Sequence, residues 1–369
     1  MQNTMWAARQ RQHLAQIAWS YKWLKAPFII GAPMRALAGP ELAIEISAAG
    51  GLGFIGPPVK IADAGADLAK ASQLARTSAS PALSAHLATS GTLPVGIGFQ
   101  TWTTALDEAV GSLQQHKPCA VWLFAPKRGQ EELDEWTVAL RKAEPEIQVW
   151  IQVGTLREAV AAAASSSPPD VLVVQGAEAG GHGRAEDGVG LQALFPEVFD
   201  ATSECSIPLI AAGGIADGRG LAAALSLGAA GGAMGTRLLA ANETRISTGY
   251  QNEVVRASDS ATSTVRTHLY NHLRGTYGWP QQFAPRTVIN RSWIDHQEGV
   301  SFDKLKILHD DAAKSGDAGW GPNGRLATYV GAAVGLVHDV KPAASIIAET
   351  RDEARAIFTF NSNFLGGGE

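Results

Sequence analysis

The 369-residue chain is poor in cysteine, in charge and in long apolar runs, and each shortage removes a class of proteins. Its two cysteines, Cys119 and Cys205, cannot build a disulfide framework, and Cys119 falls inside the apolar run CAVWLF, where a buried inert thiol is expected. A reducing, cytoplasmic setting fits that usage. Glycine or proline interrupts the apolar stretches before any reaches the roughly 18 to 20 residues that a membrane helix requires, so no membrane partner is expected. Charged residues make up 18%, the formal net charge is −5, and there is no basic cluster. The electrostatic footprint of a nucleic-acid binder is therefore missing. Acidic residues are absent before Glu41, whereas Arg9, Arg11, Lys22 and Lys25 lie among Trp6, Leu14, Ile17 and Trp23. That segment has the acid-poor amphipathic character of a mitochondrial transit peptide without its serine richness. It reads instead as a helix covering the bottom of the fold.

What the chain does have is apolar surface and glycine: 46% hydrophobic residues and 40 glycines, the composition of buried parallel strands with closely packed helices. Short apolar runs recur at 28–32, 52–55, 95–99, 120–124, 149–153, 171–175, 209–212 and 231–234, with helix-like stretches such as Glu41–Ala49, Glu131–Lys142 and Gly218–Leu227 between them. Eight strands alternating with helices predict an α/β fold of the (β/α)8 TIM barrel type, with a doubly wound open sheet as the alternative. After about Asn242 the pattern turns polar, with aromatic and basic residues in mixed order, Tyr277, Trp279 and Trp293 among them as candidates to line a pocket. This predicts a barrel over 1–242, a helical lid over 243–325 and C-terminal helices over 326–369 that pack back on the barrel. Homo-oligomerisation stays open.

The run Val171–Arg184, VLVVQGAEAGGHGR, passes from an apolar strand into glycines that carry His182. Gly180, Gly181 and Gly183 clear side-chain bulk from around the imidazole, so a flat ligand can approach the backbone. Gly213–Gly214 and Gly235–Thr236 follow the seventh and eighth apolar runs, where barrels bind phosphate with bare N–H groups and a hydroxyl. Gln152 and Gln175 end the fifth and sixth runs, so their amides should face the barrel mouth. A textual GxGxxG at Gly51, Gly53 and Gly56 lacks the preceding strand and the following acid of a dinucleotide fingerprint and reads as structural. His268 and His272 have the spacing of a helical metal pair but no evident third ligand, and His309–Asp310–Asp311 reads as a charged helix face, so no metal is assigned. There is no Gly-x-Ser-x-Gly elbow and no P-loop.

Five ordered motifs, GAPM at Gly31–Met34, AGGLGFIG at Ala49–Gly56, QGAEAGGHGR at Gln175–Arg184, AAGGIADGRG at Ala211–Gly220 and AMGTRLLA at Ala233–Ala240, together resemble the nitronate monooxygenase family, formerly called 2-nitropropane dioxygenases. The resemblance implies an FMN-dependent oxidoreductase that converts alkyl nitronates, and in some readings nitroalkanes, with O2 to a carbonyl compound and nitrite. By motif, Ala32, Pro33 and Met34 would lie along the flavin and Gln152 and Gln175 would bond its ring or ribityl chain. Gly180 and Gly181 would pack close, and Ala212, Gly213, Gly214, Gly235 and Thr236 would hold the phosphate end. His182 matches the family's catalytic histidine, which acts as base or orients the nitronate oxygens. Gly98 stands where many members place an asparagine at the flavin, leaving Gln100 or a water to substitute. Arg184 follows the histidine unusually closely and reads as solvated. The same barrel family includes NAD(P)H-dependent FMN enoyl-thioester reductases, and a redirected biosynthetic flavoenzyme is a third reading.

Overall fold

Eight parallel strands close into a barrel in the computed structural model, which describes residues 2–366. They are β1 (Phe28–Gly31), β2 (Leu52–Ile55), β3 (Leu93–Gln100), β4 (Pro118–Phe124), β5 (Gln148–Val153), β6 (Val171–Gln175), β8 (Leu209–Ala212) and β9 (Gly231–Met234), and β9 pairs with β1 to complete the ring. These match the eight apolar runs. Both faces of each strand are buried, which is why the strands read as continuous apolar runs rather than as an alternation. On β4, Ala120 and Trp122 belong to the barrel interior, while Val121 and Leu123 belong to the layer between barrel and helices. On β5, Trp150 points in and Val149 and Ile151 point out.

The interior is filled by large rings set against small residues. Trp122 stacks on Trp150 at 5.9 Å, and Phe54 meets both at 5.2 and 5.1 Å. Gly96 on β3 leaves the space that the Phe54 ring occupies, since a Cβ there would collide with it. The glycines of the textual GxGxxG are structural: a Cβ on Gly53 would strike the backbone of Ala43, and one on Gly56 would strike the Met34 carbonyl. They let the helix Pro40–Ala48 and the loop after β1 lie directly on β2.

The helix Gln2–Ser20 closes the N-terminal end of the barrel. Ile17 and Tyr21 join the interior cluster, and Trp150 Nε1 donates to the Tyr21 hydroxyl at 2.7 Å. Arg9 donates to the carbonyls of Phe199 and Thr202, and Gln10 to those of Leu225 and Ala229. The acid-poor composition thus serves to cover carbonyl-rich helix ends.

The lid differs from the helical expectation. It contains helices, but β10 (Thr264–Arg266) and β11 (Phe283–Val288) form an antiparallel sheet with β7 (Gly181–Arg184), so the segment carrying His182 is a lid strand rather than a loop. The region after 326 differs too. A loop with a 3-10 turn at Ala332–Leu336 returns over the barrel mouth, and one helix, Ala343–Gly366, packs on the helices Gly218–Ser226 and Pro40–Ala48. Arg351 on that helix donates to the carbonyls of Lys25, Ala49 and Gly50, tying it to the N-terminal end of β1 and β2. No helix among the described residues is long and apolar enough to cross a membrane.

Candidate active site

A cavity of about 240 Å³ opens at the C-terminal end of the barrel strands, beneath the lid. That is many times the roughly 10 to 15 Å³ that one water needs by the same measure, so a ligand much larger than water fits. All of the sequence-derived residues except Gly98 line it: Ala32, Pro33, Met34, Gln152, Gln175, Gly180, Gly181, His182, Ala212, Gly213, Gly214, Gly235 and Thr236. Gly98 lies one step outside. A Cβ there would sit 2.5 Å from Pro33 Cβ, so its role is to let the Pro33 loop rest on β3. Gln100, two residues further along the same strand, does line the cavity, and its buried Oε1 has no partner.

The floor consists of amides and rings at strand ends. Trp122 Nε1 donates to Gln152 Oε1 at 3.0 Å, which fixes that amide and leaves its NH2 group to other acceptors. One end is a glycine nest. Gly213 and Gly214 have φ of +96° and +75°, conformations that turn successive N–H groups to one side. Among the described residues, the N–H groups of Gly213, Gly214, Gly235 and Thr236 donate to no backbone acceptor. Thr236 Oγ1 accepts from Gly331 N–H at 2.8 Å, so the C-terminal loop completes this end. Gly180 is required there, because a Cβ would collide with the backbone of Val330 and Gly331.

The lid contributes His182 and its surroundings. The imidazole lies flat on the indole of Trp279, centroids 3.5 Å apart at 6°, and its Nε2 contacts Asn271 Oδ1 at 3.1 Å. With that oxygen as acceptor, Nε2 carries the proton and Nδ1 keeps its lone pair. Burial pushes the His182 pKa from 6.5 down to about 3; the bond to Asn271 opposes the shift, and Arg266, His268 and Arg274 add to it. The ring is therefore neutral near pH 7. Arg274 donates to the Tyr329 hydroxyl at 2.8 Å, and Arg35 lies on the same cavity wall. Burial lowers the Arg35 pKa, while Tyr329 raises that of Arg274. No acidic side chain is among the described lining residues, so the cavity suits an anion.

Two further arginines hold this geometry. Arg266, on β10, donates to the carbonyls of Gly181, Ala284, Ala177 and Ala179, fixing the glycine loop from above. Arg184 is buried rather than solvated: it pairs with Glu158 at 2.7 Å and with Asp187, and stands over the Phe283 ring. Sequence reading missed Asn271, Arg274, Tyr329 and Gly331. Asn271 and Arg274 flank His272, whose spacing from His268 drew attention to the wrong face of that turn. Asn271 faces the cavity, whereas His272 is exposed and stacks on Tyr277. Of the lid aromatics singled out from sequence, Trp279 lines the cavity, Tyr277 is exposed, and Trp293 packs in a separate cluster with Leu305.

Residues 130–276 match the family model described as nitronate monooxygenase. The chain is 64% identical over 348 residues to the nitronate monooxygenase npaC of Metarhizium robertsii, covering 93% of this chain and 95% of that one. It is 36% identical to a nitronate monooxygenase of Neurospora crassa over 90% of both chains. Among solved structures, FabK from Thermotoga maritima superposes with a TM-score of 0.71 at 24% identity, covering 94% of this chain and 98% of that one. Nitroalkane oxidase from Streptomyces ansochromogenes gives 0.66 at 22%, covering 89% and 97%. At those identities the structural likeness speaks for the barrel alone.

Proposed function

Because the chain belongs to the nitronate monooxygenase family, we propose that it binds FMN in this cavity and oxidises alkyl nitronates with O2 to a carbonyl compound and nitrite. The observation that carries the reading is the convergence of a glycine nest, an amide floor and a neutral imidazole beside two arginines on one cavity without carboxylates. The residues fit FMN. Gln100 Oε1 is a buried acceptor awaiting an N–H, which the flavin ring has. The absent Cβ of Gly235 would project between Met34 Sδ and Ala32 Cβ, 3.8 and 3.9 Å away, so the glycine keeps that space clear. Ala32, Pro33 and Met34 would flank the ring, Gln152 and Gln175 would bond the ring edge or ribityl hydroxyls, Gly180 and Gly181 would allow close approach, and Ala212, Gly213, Gly214, Gly235 and Thr236 would hold the phosphate. Bound there, FMN supplies the electron acceptor for the substrate and the site at which O2 reacts.

The protein's own part is to bind and hold an anion. A histidine with a pKa of about 3 is a weak base, so the site favours the ionised nitronate over a neutral nitroalkane whose carbon proton must first be removed. Arg274 and Arg35 attract the anion, and the neutral His182 ring is held in place by Asn271 at its Nε2 and by Trp279 stacked on its face. The test is O2 uptake with nitrite formation from propionate 3-nitronate, together with identification of the flavin released on denaturation. The expected results are FMN, and a fall in kcat/KM of about a hundredfold in His182→Ala, the size that misplacing a bound reactant can cost. Full activity in that variant, or a protein that takes up no FMN, contradicts the proposal.

A further inference from the structure

Two buried N–H groups beside His182 have no acceptor, and both belong to residues that line the cavity. Asn271 is 2% exposed and Trp279 is 9% exposed, yet Asn271 Nδ2 and Trp279 Nε1 find no partner among the described residues. Native proteins rarely leave such donors unmatched, because desolvating an N–H without returning a hydrogen bond is unfavourable. Neither is left over by accident of a loose side chain. Asn271 is fixed because its other amide atom, Oδ1, is engaged with His182 Nε2 at 3.1 Å. Trp279 is fixed because its ring lies parallel to the imidazole at 3.5 Å, backed by Trp102 at 4.9 Å, on a segment bounded by Gly278 with φ +88° and Pro280.

We propose that Trp279 Nε1 and Asn271 Nδ2 are the donors that receive the two oxygens of the substrate's –NO2 group, holding it beside the His182 ring. The inference rests on the function proposed above and names the residues that recognise the nitronate head. A nitronate spreads its negative charge over two coplanar oxygens, and two neutral donors, one on the residue stacked on the imidazole face and one on the residue bonded to its Nε2, can bond that group without protonating it. Arg274, exposed at the cavity mouth, adds attraction without competing for the same position. The arrangement also separates roles. Trp279 both stacks on His182 and donates, whereas a phenylalanine in its place would keep the stack and lose the donor.

Propionate, an unreactive carboxylate with the planar two-oxygen shape of a nitronate head, serves as the probe on the FMN-loaded protein. In an indole 15N–1H spectrum, the cross-peak missing from Trp279→Phe identifies Trp279 in the wild type. The expected result is a saturable downfield shift of that peak with propionate and none with uncharged propionamide. By calorimetry, the propionate Kd should weaken about tenfold or more in Trp279→Phe and in the uncharged Asn271→Leu, as expected for loss of a hydrogen bond to a charged group. The proposal is overturned if the Trp279 peak stays in place under saturating propionate, if wild type shows no saturable binding, or if both variants bind as wild type does. Those results leave nitronate oxidation by the wild type standing. Conversely, the expected shifts in a protein that forms no nitrite from a nitronate would keep the donor pair and refute the reaction.

Discussion

His182 was legible as a residue because glycines flank it at the end of an apolar strand, but its surroundings were not. Asn271, Trp279 and Tyr329 reach it from the lid and the C-terminal loop; Trp279 was readable only as one of several lid aromatics, and nothing in the local pattern marks Asn271 or Tyr329. Gly98, aligned by motif, is a spacer under Pro33 that does not line the cavity, whereas Gln100, which the sequence offered as its substitute, lines it from the same face of β3. The depressed pKa of His182 has a definite consequence. Its folded value, about 3, lies below the ordinary 6.5, so the folded protein holds fewer protons than the unfolded chain as pH falls below about 6.5. The associated stability is present above that pH and is lost progressively as pH drops toward 3. For activity, kcat/KM toward a preformed nitronate should be free of a His182 titration between about pH 5 and about pH 8, since this parameter reports the free enzyme. A limb near pH 6.5 that disappears in His182→Asn would contradict the environment described for the ring.

At the scale of elements, the barrel strands were readable because burial on both faces writes them as apolar runs, whereas the lid strands were not. β7, β10 and β11 are three to six residues long, carry Arg184, Arg266 and Arg286, and place Pro285 opposite His182, so neither hydrophobicity nor alternation marks them. Their order comes from tertiary contacts, with Arg266 foremost. Its pKa is lowered by burial, then by Arg286, to about 10, which still leaves it charged at neutral pH. Replacing Arg266 by alanine removes the side-chain donor from the Gly181, Ala284 and Ala179 carbonyls, while Ala177 keeps Arg286, and should cost about 3 kcal/mol in denaturant unfolding, with a lower affinity for propionate; an unchanged midpoint would show that the lid sheet stands without it. The N-terminal helix offers a contrasting case. His13 is fully buried against Phe199, its two ring nitrogens lack partners among the described residues, and burial, then Arg9, push its pKa to about 4. His13→Leu should therefore keep or raise stability by about 1 kcal/mol at pH 7. It should raise it further as pH falls from about 6.5 toward 4, where the unfolded wild type gains a proton that the folded form resists. A loss of stability in the variant at pH 5 would contradict this.

At the scale of the whole molecule, the chain builds its barrel first, departs into the lid, and returns to seal both the cavity and the barrel wall. The division expected from composition placed the boundary after the lid at 326, but Tyr329, Gly331 and Ala333 line the cavity before the helix Ala343–Gly366 reaches the barrel. Composition could not show this, because a loop of small residues looks the same wherever it packs. That final helix is held by Arg351, whose bonds to Lys25, Ala49 and Gly50 carbonyls join the two ends of the chain. Arg351→Ala should lower stability by about 2 kcal/mol and leave KM for the nitronate unchanged, because the lost contacts lie at the opposite end of the barrel from the cavity. A changed KM would mean that the C-terminal helix sets the cavity loop as well. The central claim concerns what reduces the bound flavin, and anaerobic mixing of the FMN-loaded protein with propionate 3-nitronate and, separately, with NADPH tests it most directly by flavin absorbance. The account predicts bleaching by the nitronate alone and its loss in His182→Ala; bleaching by NADPH with no response to the nitronate would contradict it.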